Sequence, residues 1–119
     1  MKTTSQPGPR ANAALSQAMD GLWARFLPDI RARVAVLEAA AQAAGEGKLT
    51  GKQREAAQAA AHKLAGVLGT FDLTRGTVLA RELELTFARE SSPGRDAGAK
   101  LVEIAAQLRN MVECRKPSV

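Results

Sequence analysis

The sequence predicts an all-α protein, folded as an antiparallel up-down four-helix bundle with a short additional N-terminal helix. Strong helix formers dominate its 119 residues, tyrosine is absent, and the aromatic residues are one tryptophan and three phenylalanines. Apolar residues recur at helical spacing, and strand-like alternation is nowhere sustained. The connections between the helical segments are short, which favours antiparallel neighbours whose apolar stripes meet in one core.

The N-terminal part predicts a tail followed by a broken helix. Residues 1–10 contain two prolines and a glycine among polar residues, and we expect them to be disordered. Proline lacks an amide hydrogen and disfavours helix at the preceding residue, so Pro28 predicts a short first helix and then a longer one. The stripe residues predicted to face the core are Leu15, Met19, Leu22, Trp23, Phe26, Ile30, Val34, Leu37 and Ala41.

Three later connections divide the rest of the chain into helices. Residues 45–51 provide Gly45 as a C-cap and Thr50 as the N-cap of the next helix. A second helix closes near residue 71, Thr74 is predicted to cap a third, and residues 91–94 form the next break. The core residues predicted in the last two helices are Val78, Leu79, Leu83, Phe87, Leu101, Ile104, Ala105, Leu108, Met111 and Val112.

The length of 119 residues fits one domain. We expect the bundle to span residues 11–114 and a C-terminal tail to occupy residues 115–119. The single cysteine, Cys114, has no partner for an internal disulfide and fits a reducing compartment. No apolar run approaches the ~20 residues of a membrane span, and the N-terminus lacks a signal-like apolar segment. A cytoplasmic location is therefore expected.

The formal net charge of +5 allows nucleic acid, an anionic membrane or an acidic protein surface as a partner. Nucleic acid is the least favoured of these, because the positive charges are scattered without an interleaved aromatic platform. The scattered cationic residues include Arg25, Arg31, Arg33, Lys52, Arg54, Arg75 and Arg81.

The segment from Lys52 to Phe71 holds the only histidine, His62. On a helical wheel at about 100° per residue, the apolar residues gather opposite His62, so the imidazole is predicted to point to solvent. The residues predicted to face the core are Gln53, Ala57, Ala60, Leu64, Val67, Leu68 and Phe71. The residues predicted to surround His62, and to contact any partner, are Glu55, Gln58, Ala59, Ala65, Gly66 and Gly69.

Small side chains dominate these predicted surroundings. Gly66 and Gly69 each cost a helix roughly 0.5–1 kcal/mol relative to alanine. A partner surface that comes close to the imidazole would benefit from the space. The alternative is an ordinary surface histidine, with the glycines marking a loosening helix end, and the pattern alone leaves both interpretations open.

The residues near His62 exclude several chemistries. One histidine and the distant Cys114 cannot supply four ligands, so no metal is expected. A histidine base in hydrolysis needs a nucleophile and an orienting carboxylate, and the wheel offers only Glu55. Residues 66–69 do not form a phosphate-binding loop, because no strand precedes them and no Lys-Ser/Thr pair follows. A phosphoryl carrier, which needs an exposed and unpaired ring nitrogen, remains.

The segment from Ala61 to Glu84 resembles the histidine-containing phosphotransfer (Hpt) domain of bacterial multistep phosphorelays. The signature of that family reads HxLKG, a second glycine three residues later, and a following helix that ends in LE. The similarity in helix pattern extends over residues 11–114. The matching positions are His62, Leu64, Gly66, Gly69, Leu79, Leu83 and Glu84.

The resemblance implies that His62 accepts the phosphoryl group and that Gly66 is the small residue that lets a receiver domain approach. Two positions depart from the family pattern. Ala65 replaces the usual lysine three residues after the histidine, and Asp72 replaces a glycine ten residues after it. Lys63, about 100° round the helix from His62, could reach the same phosphate and stabilise it.

By this resemblance the protein takes a phosphoryl group from a receiver-domain aspartate and passes it to another receiver. In the family, Mg²⁺ and the aspartyl phosphate belong to the receiver, so we expect no cofactor and a carrier rather than an autonomous enzyme. The expected partner is the receiver of a response regulator or hybrid histidine kinase, bound by a monomer that contacts neither membrane nor nucleic acid. The alternative is a non-phosphorylated module that binds a receiver or kinase domain.

Overall fold

The computed structural model of the chain describes residues 9–89 and 95–115, and these residues form four α-helices. Helix α1 spans Pro9–Gly45, α2 Gly51–Thr70, α3 Thr74–Ala88 and α4 Arg95–Glu113. No strand occurs among the described residues, so the all-helical class is confirmed. The predicted break at residues 91–94 falls between α3 and α4, outside the described residues.

Each helix packs against two neighbours, in the cyclic order α1, α2, α3, α4 and back to α1. This arrangement surrounds one apolar core, and no polar or charged side chain among the described residues is buried in it. The large side chains that are fully buried are Ile30, Val34, Leu37, Leu64, Leu68, Leu83, Phe87, Leu101, Leu108 and Val112.

Helix α1 runs without interruption through Pro28, so the prediction of a separate short first helix was wrong. A proline inside a helix removes one backbone hydrogen bond and costs about 3 kcal/mol. Packing fixes the helix on both sides of it: the Trp23 ring meets the Phe71 ring edge-on at 5.1 Å between centroids, and Ile30 and Val34 are fully buried. The burial of these side chains outweighs the missing bond.

The ends of the bundle differ slightly from the predicted limits. Helix α1 begins at Pro9, inside the predicted tail at residues 1–10, and a proline in the first helical turn loses no hydrogen bond. Arg115, placed in the predicted C-terminal tail, lies 4.9 Å from the Trp23 ring centroid and pairs with Asp20 at 3.2 Å. The remaining residues of both predicted tails lie outside the described part of the chain.

Four residues predicted to face the core are instead exposed: Leu15, Leu22 and Phe26 on α1 and Val78 on α3. The first turns of α1, which hold Leu15 and Leu22, extend past the ring contact of Trp23 with Phe71 at the end of α2. Phe26 does contact the Phe71 ring, at 6.4 Å between centroids, but its other side is exposed. In α3 the buried face, which includes Leu79, leaves Val78 on the outer side. Helical periodicity identifies an apolar stripe but does not show how far the neighbouring helices reach.

The predicted caps are correct in part. Thr50 caps α2 as expected, since its hydroxyl accepts a hydrogen bond from a backbone amide of the first turn at 3.0 Å. Thr74 is the first residue of α3, and Leu73 precedes it without a side-chain cap, so that prediction was wrong. Gly45 ends α1, but the residue that takes the left-handed conformation after it is Gly47, with φ 72°.

Surface ion pairs join α1 to α4. Arg31 donates hydrogen bonds of 2.8 and 2.7 Å to Glu113, and Arg109 pairs with Glu38 at 2.7 Å. The hydrogen bonds from Arg31 are the main reason that the pKa of the Glu113 carboxyl lies below its ordinary value. The side of α1 that carries Arg31 and Glu38 therefore packs against α4.

Gly98 lies where α4 meets the end of α1. A Cβ at Gly98 would overlap the backbone nitrogen of Gly45 and lie 2.8 Å from the carbonyl carbon of Ala44. Because backbone atoms cannot move aside without displacing a helix, we expect Gly98→Ala to lower the free energy of unfolding by about 1–3 kcal/mol. Urea denaturation followed by circular dichroism measures this change.

The matched control for this prediction is Gly66→Ala, because a Cβ at Gly66 would meet nothing within 4 Å. That variant should be neutral or gain up to about 1 kcal/mol through better helix propensity. Equal losses of stability in both variants would contradict the close packing of α1 on α4.

Candidate functional site

His62 lies in the middle of α2 and points away from the core. Its side chain is 76% exposed, and Leu64 and Leu68 on the other side of the helix are buried. The exposed position predicted from the helical wheel is therefore where the structure places the imidazole.

The His62 ring is held by a carboxylate from the neighbouring helix. Nδ1 of His62 lies 2.8 Å from Oε2 of Glu84 on α3. An ionised carboxylate can only accept hydrogen bonds, so Nδ1 carries the proton and donates it. The other nitrogen, Nε2, makes no hydrogen bond to any described residue and faces solvent. In the neutral ring, Nε2 therefore presents its lone pair to an incoming group.

Glu84 is a position of the family signature, and the sequence pattern assigns it no role. A helical wheel of α2 cannot show a side chain that comes from α3. A signal was nevertheless available, because His62 and Glu84 are equally far from Leu73 at the turn between the two helices. In an antiparallel helix pair, residues equidistant from the turn lie at the same level along the bundle axis.

Two surface hollows lie on the outer side of α2, and Lys63 borders both of them, whereas His62 lines only the first. One is a shallow depression around the ring, and the other is a groove between α1 and α2. The depression is lined by Glu55, Gln58, Ala59, His62, Lys63 and Glu84. The groove is lined by Phe26, Asp29, Arg33, Lys63, Gly66, Val67 and Thr70.

The two glycines near His62 differ in their surroundings. A Cβ at Gly66 would enter open space beside the groove, so the packing of the described residues does not require glycine there. A Cβ at Gly69 would meet the Thr77 hydroxyl on α3 at 3.5 Å, an ordinary contact. Of these two glycines, Gly66 is the one whose missing side chain leaves open space.

Ala65 was predicted to lie on the exposed face, and the structure corrects this. Its residue is only 4% exposed, and its carbonyl accepts a hydrogen bond from the Thr77 hydroxyl at 3.1 Å. The helical wheel assumes that α2 has one buried face and one exposed face opposite to it. In the structure α2 is covered on two sides, by α1 and by α3. The α3 side reaches further round the helix and buries Ala65.

Arg33 on α1 is a second side chain near the site that the sequence pattern does not predict. It is half-buried in the groove with Lys63 and Gly66, and no described residue forms an ion pair with its guanidinium. Asp29 shares the groove, so the groove holds two cationic side chains and one anionic side chain. No pattern within α2 could have indicated a contribution from α1.

Within residues 9–89 and 95–115, no three His, Cys, Asp or Glu side chains come close enough together to hold a metal ion. None of the helices described in these ranges has the length and hydropathy needed to cross a bilayer.

One further finding agrees with the helical fold, with the exposed histidine and with the glycine one turn after it. A sequence model of the Hpt domain matches residues 21–114 of the chain. The chain belongs to the Hpt domain family. Hpt domains are phosphocarrier modules of two-component phosphorelays and interact with receiver domains. Comparisons with curated proteins and with solved structures found no match.

The Glu84 contact predicts which ring nitrogen of His62 carries the proton in this Hpt domain. Glu84→Ala removes the acceptor, so the fraction of the Nδ1–H tautomer should fall markedly. Glu84→Gln keeps an oxygen acceptor at the same place and should retain most of that tautomer. Long-range ¹H–¹⁵N spectra of the imidazole at neutral pH measure the fraction, and an unchanged spectrum in Glu84→Ala would contradict the assignment.

Proposed function

We propose that His62 accepts a phosphoryl group on Nε2 from the aspartyl phosphate of one receiver domain and passes it to another receiver. The observation that carries this proposal is the hydrogen bond from Nδ1 to Glu84, which leaves an exposed Nε2 as the nucleophile. Phosphotransfer in phosphorelays is the role of the family. The choice of one receiver as the phosphoryl donor and of another as the phosphoryl acceptor is our inference.

The transfer is a displacement at phosphorus. The Nε2 lone pair of His62 attacks the phosphorus, the bond from phosphorus to the aspartate oxygen breaks, and the carboxylate leaves with the electron pair. The proton stays on Nδ1, so the phosphorylated ring is cationic and the Glu84 carboxylate beside it offsets that charge. In the second transfer an aspartate of the next receiver attacks, and the bond from phosphorus to Nε2 breaks. The ring returns to its neutral form.

The surface around His62 supports close contact with a receiver. Gly66 leaves open space beside the imidazole, and Ala59 adds another small side chain at the edge of the depression. Lys63 borders both the depression and the groove, so its ammonium can approach a phosphoryl group on Nε2. The other proposed contact residues are Glu55, Gln58 and Gly69. Ala65, which is buried, is withdrawn from that set.

The proposal extends to the organisation of the molecule. We propose an up-down order of the four helices and a single bundle domain over residues 11–114, which α1 and Arg115 exceed slightly at the two ends. A cytoplasmic location belongs to the same proposal. So does the absence of autonomous catalysis, because the receiver would bring Mg²⁺ to the reaction. The chain would supply the nucleophile, its orientation and the contact surface.

A non-phosphorylated interaction module is the second candidate function. The observation that favours it is the buried Ala65, which stands where the family has a lysine and provides no amine for the phosphoryl group. Such a module would bind a receiver through the same surface but would carry no phosphohistidine.

Transfer from a phosphorylated receiver domain distinguishes these two functions, because a small chemical donor would label the exposed ring of His62 in either case. An isolated receiver domain phosphorylated on its aspartate, chosen from a panel of such domains, should label the wild-type chain, and the label should be acid-labile and alkali-stable, as phosphohistidine is. His62→Gln should remove the label while leaving circular dichroism and thermal stability nearly unchanged, because an exposed side chain contributes little to folding. Phosphorus NMR identifies the substituted nitrogen. Undiminished labelling of His62→Gln would end the carrier proposal.

Lys63 is expected to affect transfer more than binding. We expect Lys63→Ala to slow transfer from phospho-His62 to an isolated receiver domain by about tenfold, through loss of one charge-assisted hydrogen bond. Lys52→Ala is the matched control, because Lys52 is exposed near the start of α2 and far from the ring. The receiver is chosen from a panel of isolated receiver domains by its ability to remove the label. Equal rates for wild type and both variants would contradict a role for Lys63.

A further inference from the structure

Four arginines are half-buried among the residues whose burial the structure describes, and three of them have partners. Arg54 donates a hydrogen bond to a backbone carbonyl of α3 at 2.8 Å, and Arg109 and Arg115 pair with carboxylates on α1 at 2.7 and 3.2 Å. The fourth, Arg33 on α1, forms neither an ion pair nor a hydrogen bond with any described residue. A half-buried guanidinium has lost part of its hydration, and a bound anion compensates for that loss.

The carboxylate one helical turn earlier does not compensate Arg33. Asp29 precedes Arg33 by four residues, a spacing at which acid and base on one helix often pair, and both line the groove between α1 and α2. Arg109 and Glu113 have the same spacing and pair at 3.5 Å. Asp29 and Arg33 form no such pair. The guanidinium of Arg33 therefore remains available to an anion from outside the described part of the chain.

The surroundings of Arg33 indicate the kind of anion. The groove holds the cations Arg33 and Lys63, the anion Asp29 and the 44% exposed side chain of Phe26. An arginine beside an exposed aromatic ring is typical of a protein contact, whereas a nucleic-acid backbone is bound by several cations. A carboxylate also matches the planar fork of a guanidinium. A carboxylate side chain of a partner protein therefore fits this position best.

Arg33 and Lys63 differ in their position relative to the reacting ring. Lys63 borders the depression that holds His62, whereas Arg33 lines only the groove. The phosphoryl group on His62 is thus closer to Lys63, and Arg33 faces the protein that brings or receives it. Gly66 lines the same groove and leaves open space there, so a side chain of the partner can enter.

We propose that Arg33 binds a carboxylate side chain of the receiver domain and so determines which receivers the protein accepts. This inference rests on the receiver contact of the proposed function and adds the residue that selects the partner. A receiver with a carboxylate opposite the groove gains a charge-assisted hydrogen bond. A receiver without one covers the guanidinium and leaves it unpaired, which weakens the complex.

Binding of an unphosphorylated receiver domain to the His62→Gln chain, in which no transfer can occur, tests this inference. The receiver is chosen from a panel of isolated receiver domains by its binding to that chain, and calorimetric titration gives the Kd. Arg33→Gln removes the charge but keeps a long polar side chain, and it should raise Kd about tenfold. Asp29→Asn should lower Kd about twofold to threefold, because Asp29 repels the incoming carboxylate.

Lys100→Ala is the matched control. Lys100 is exposed on α4, which does not pack against α2, and its removal changes the net charge by the same amount as Arg33→Gln. The Kd of this variant should change by less than about twofold. Arg33→Lys should bind with intermediate affinity, because an ammonium keeps the charge without the planar fork. Circular dichroism and thermal unfolding should stay unchanged in the Arg33 variants, since Arg33 has no partner in the described fold to lose.

A charge reversal identifies the carboxylate on the receiver. Arg33→Glu should weaken binding at least as much as Arg33→Gln. When the exposed carboxylates of the receiver are changed to lysine one at a time, one of these changes should restore the affinity for Arg33→Glu to within about threefold of the starting value. The same receiver variant should bind the chain that retains Arg33 more weakly than the unchanged receiver does.

Several outcomes would overturn the inference: equal affinity with and without Arg33→Gln, an equal loss in Lys100→Ala, or no lysine in the receiver that rescues Arg33→Glu. So would Arg33→Gln that slows phosphoryl transfer at unchanged affinity, because the guanidinium would then act on the phosphoryl group. Failure of the carrier function gives a different result. A chain that binds receivers through Arg33 but takes no label on His62 is the non-phosphorylated module, and the role of Arg33 stands.

Discussion

Helices α2 and α3 are held in one register by the turn between them, and that register determines which carboxylate the His62 ring meets. The Leu73 amide donates to the Leu68 carbonyl at 2.9 Å, and Asp72 takes the left-handed conformation with φ 58°. Further along, a Cβ at Gly76 would come within 3.0 Å of the Leu68 side chain. A slip of one residue would turn Glu84 by about 100° around α3 and remove it from the ring.

The left-handed residue in this turn also explains a departure from the family sequence. Asp72 occupies the position where the family often has glycine, and its positive φ is the conformation that glycine adopts without steric cost. Aspartate is one of the few other residues that tolerate it. The chain therefore keeps the turn geometry without the glycine, and the register that positions Glu84 is preserved.

Sequence periodicity predicted those features that depend on a single helix. The exposure of His62 and the burial of Leu64 and Leu68 follow from the spacing of apolar residues within α2. The burial of Ala65 and the contact of Glu84 do not follow from this spacing, because both depend on how far α3 reaches around α2. The prediction at Pro28 was wrong for a related reason. A proline inside a helix costs about 3 kcal/mol locally, and the spacing within one helix does not show the tertiary packing on both sides of Pro28 that exceeds this cost.

The charges around α1 indicate the side from which a receiver would approach. Arg31 and Arg33 are two residues apart and therefore point to nearly opposite sides of the helix. Arg31 is engaged by Glu113 on α4, whereas Arg33 lies in the groove toward α2 beside Lys63. Of the residues that line the depression and the groove, the cationic ones are Lys63 and Arg33, and both border the groove between α1 and α2. Gly66, where added atoms would meet open space, is on that same side. Positive charge and free surface therefore coincide along the groove between α1 and α2. This coincidence favours the approach of a receiver domain over this groove.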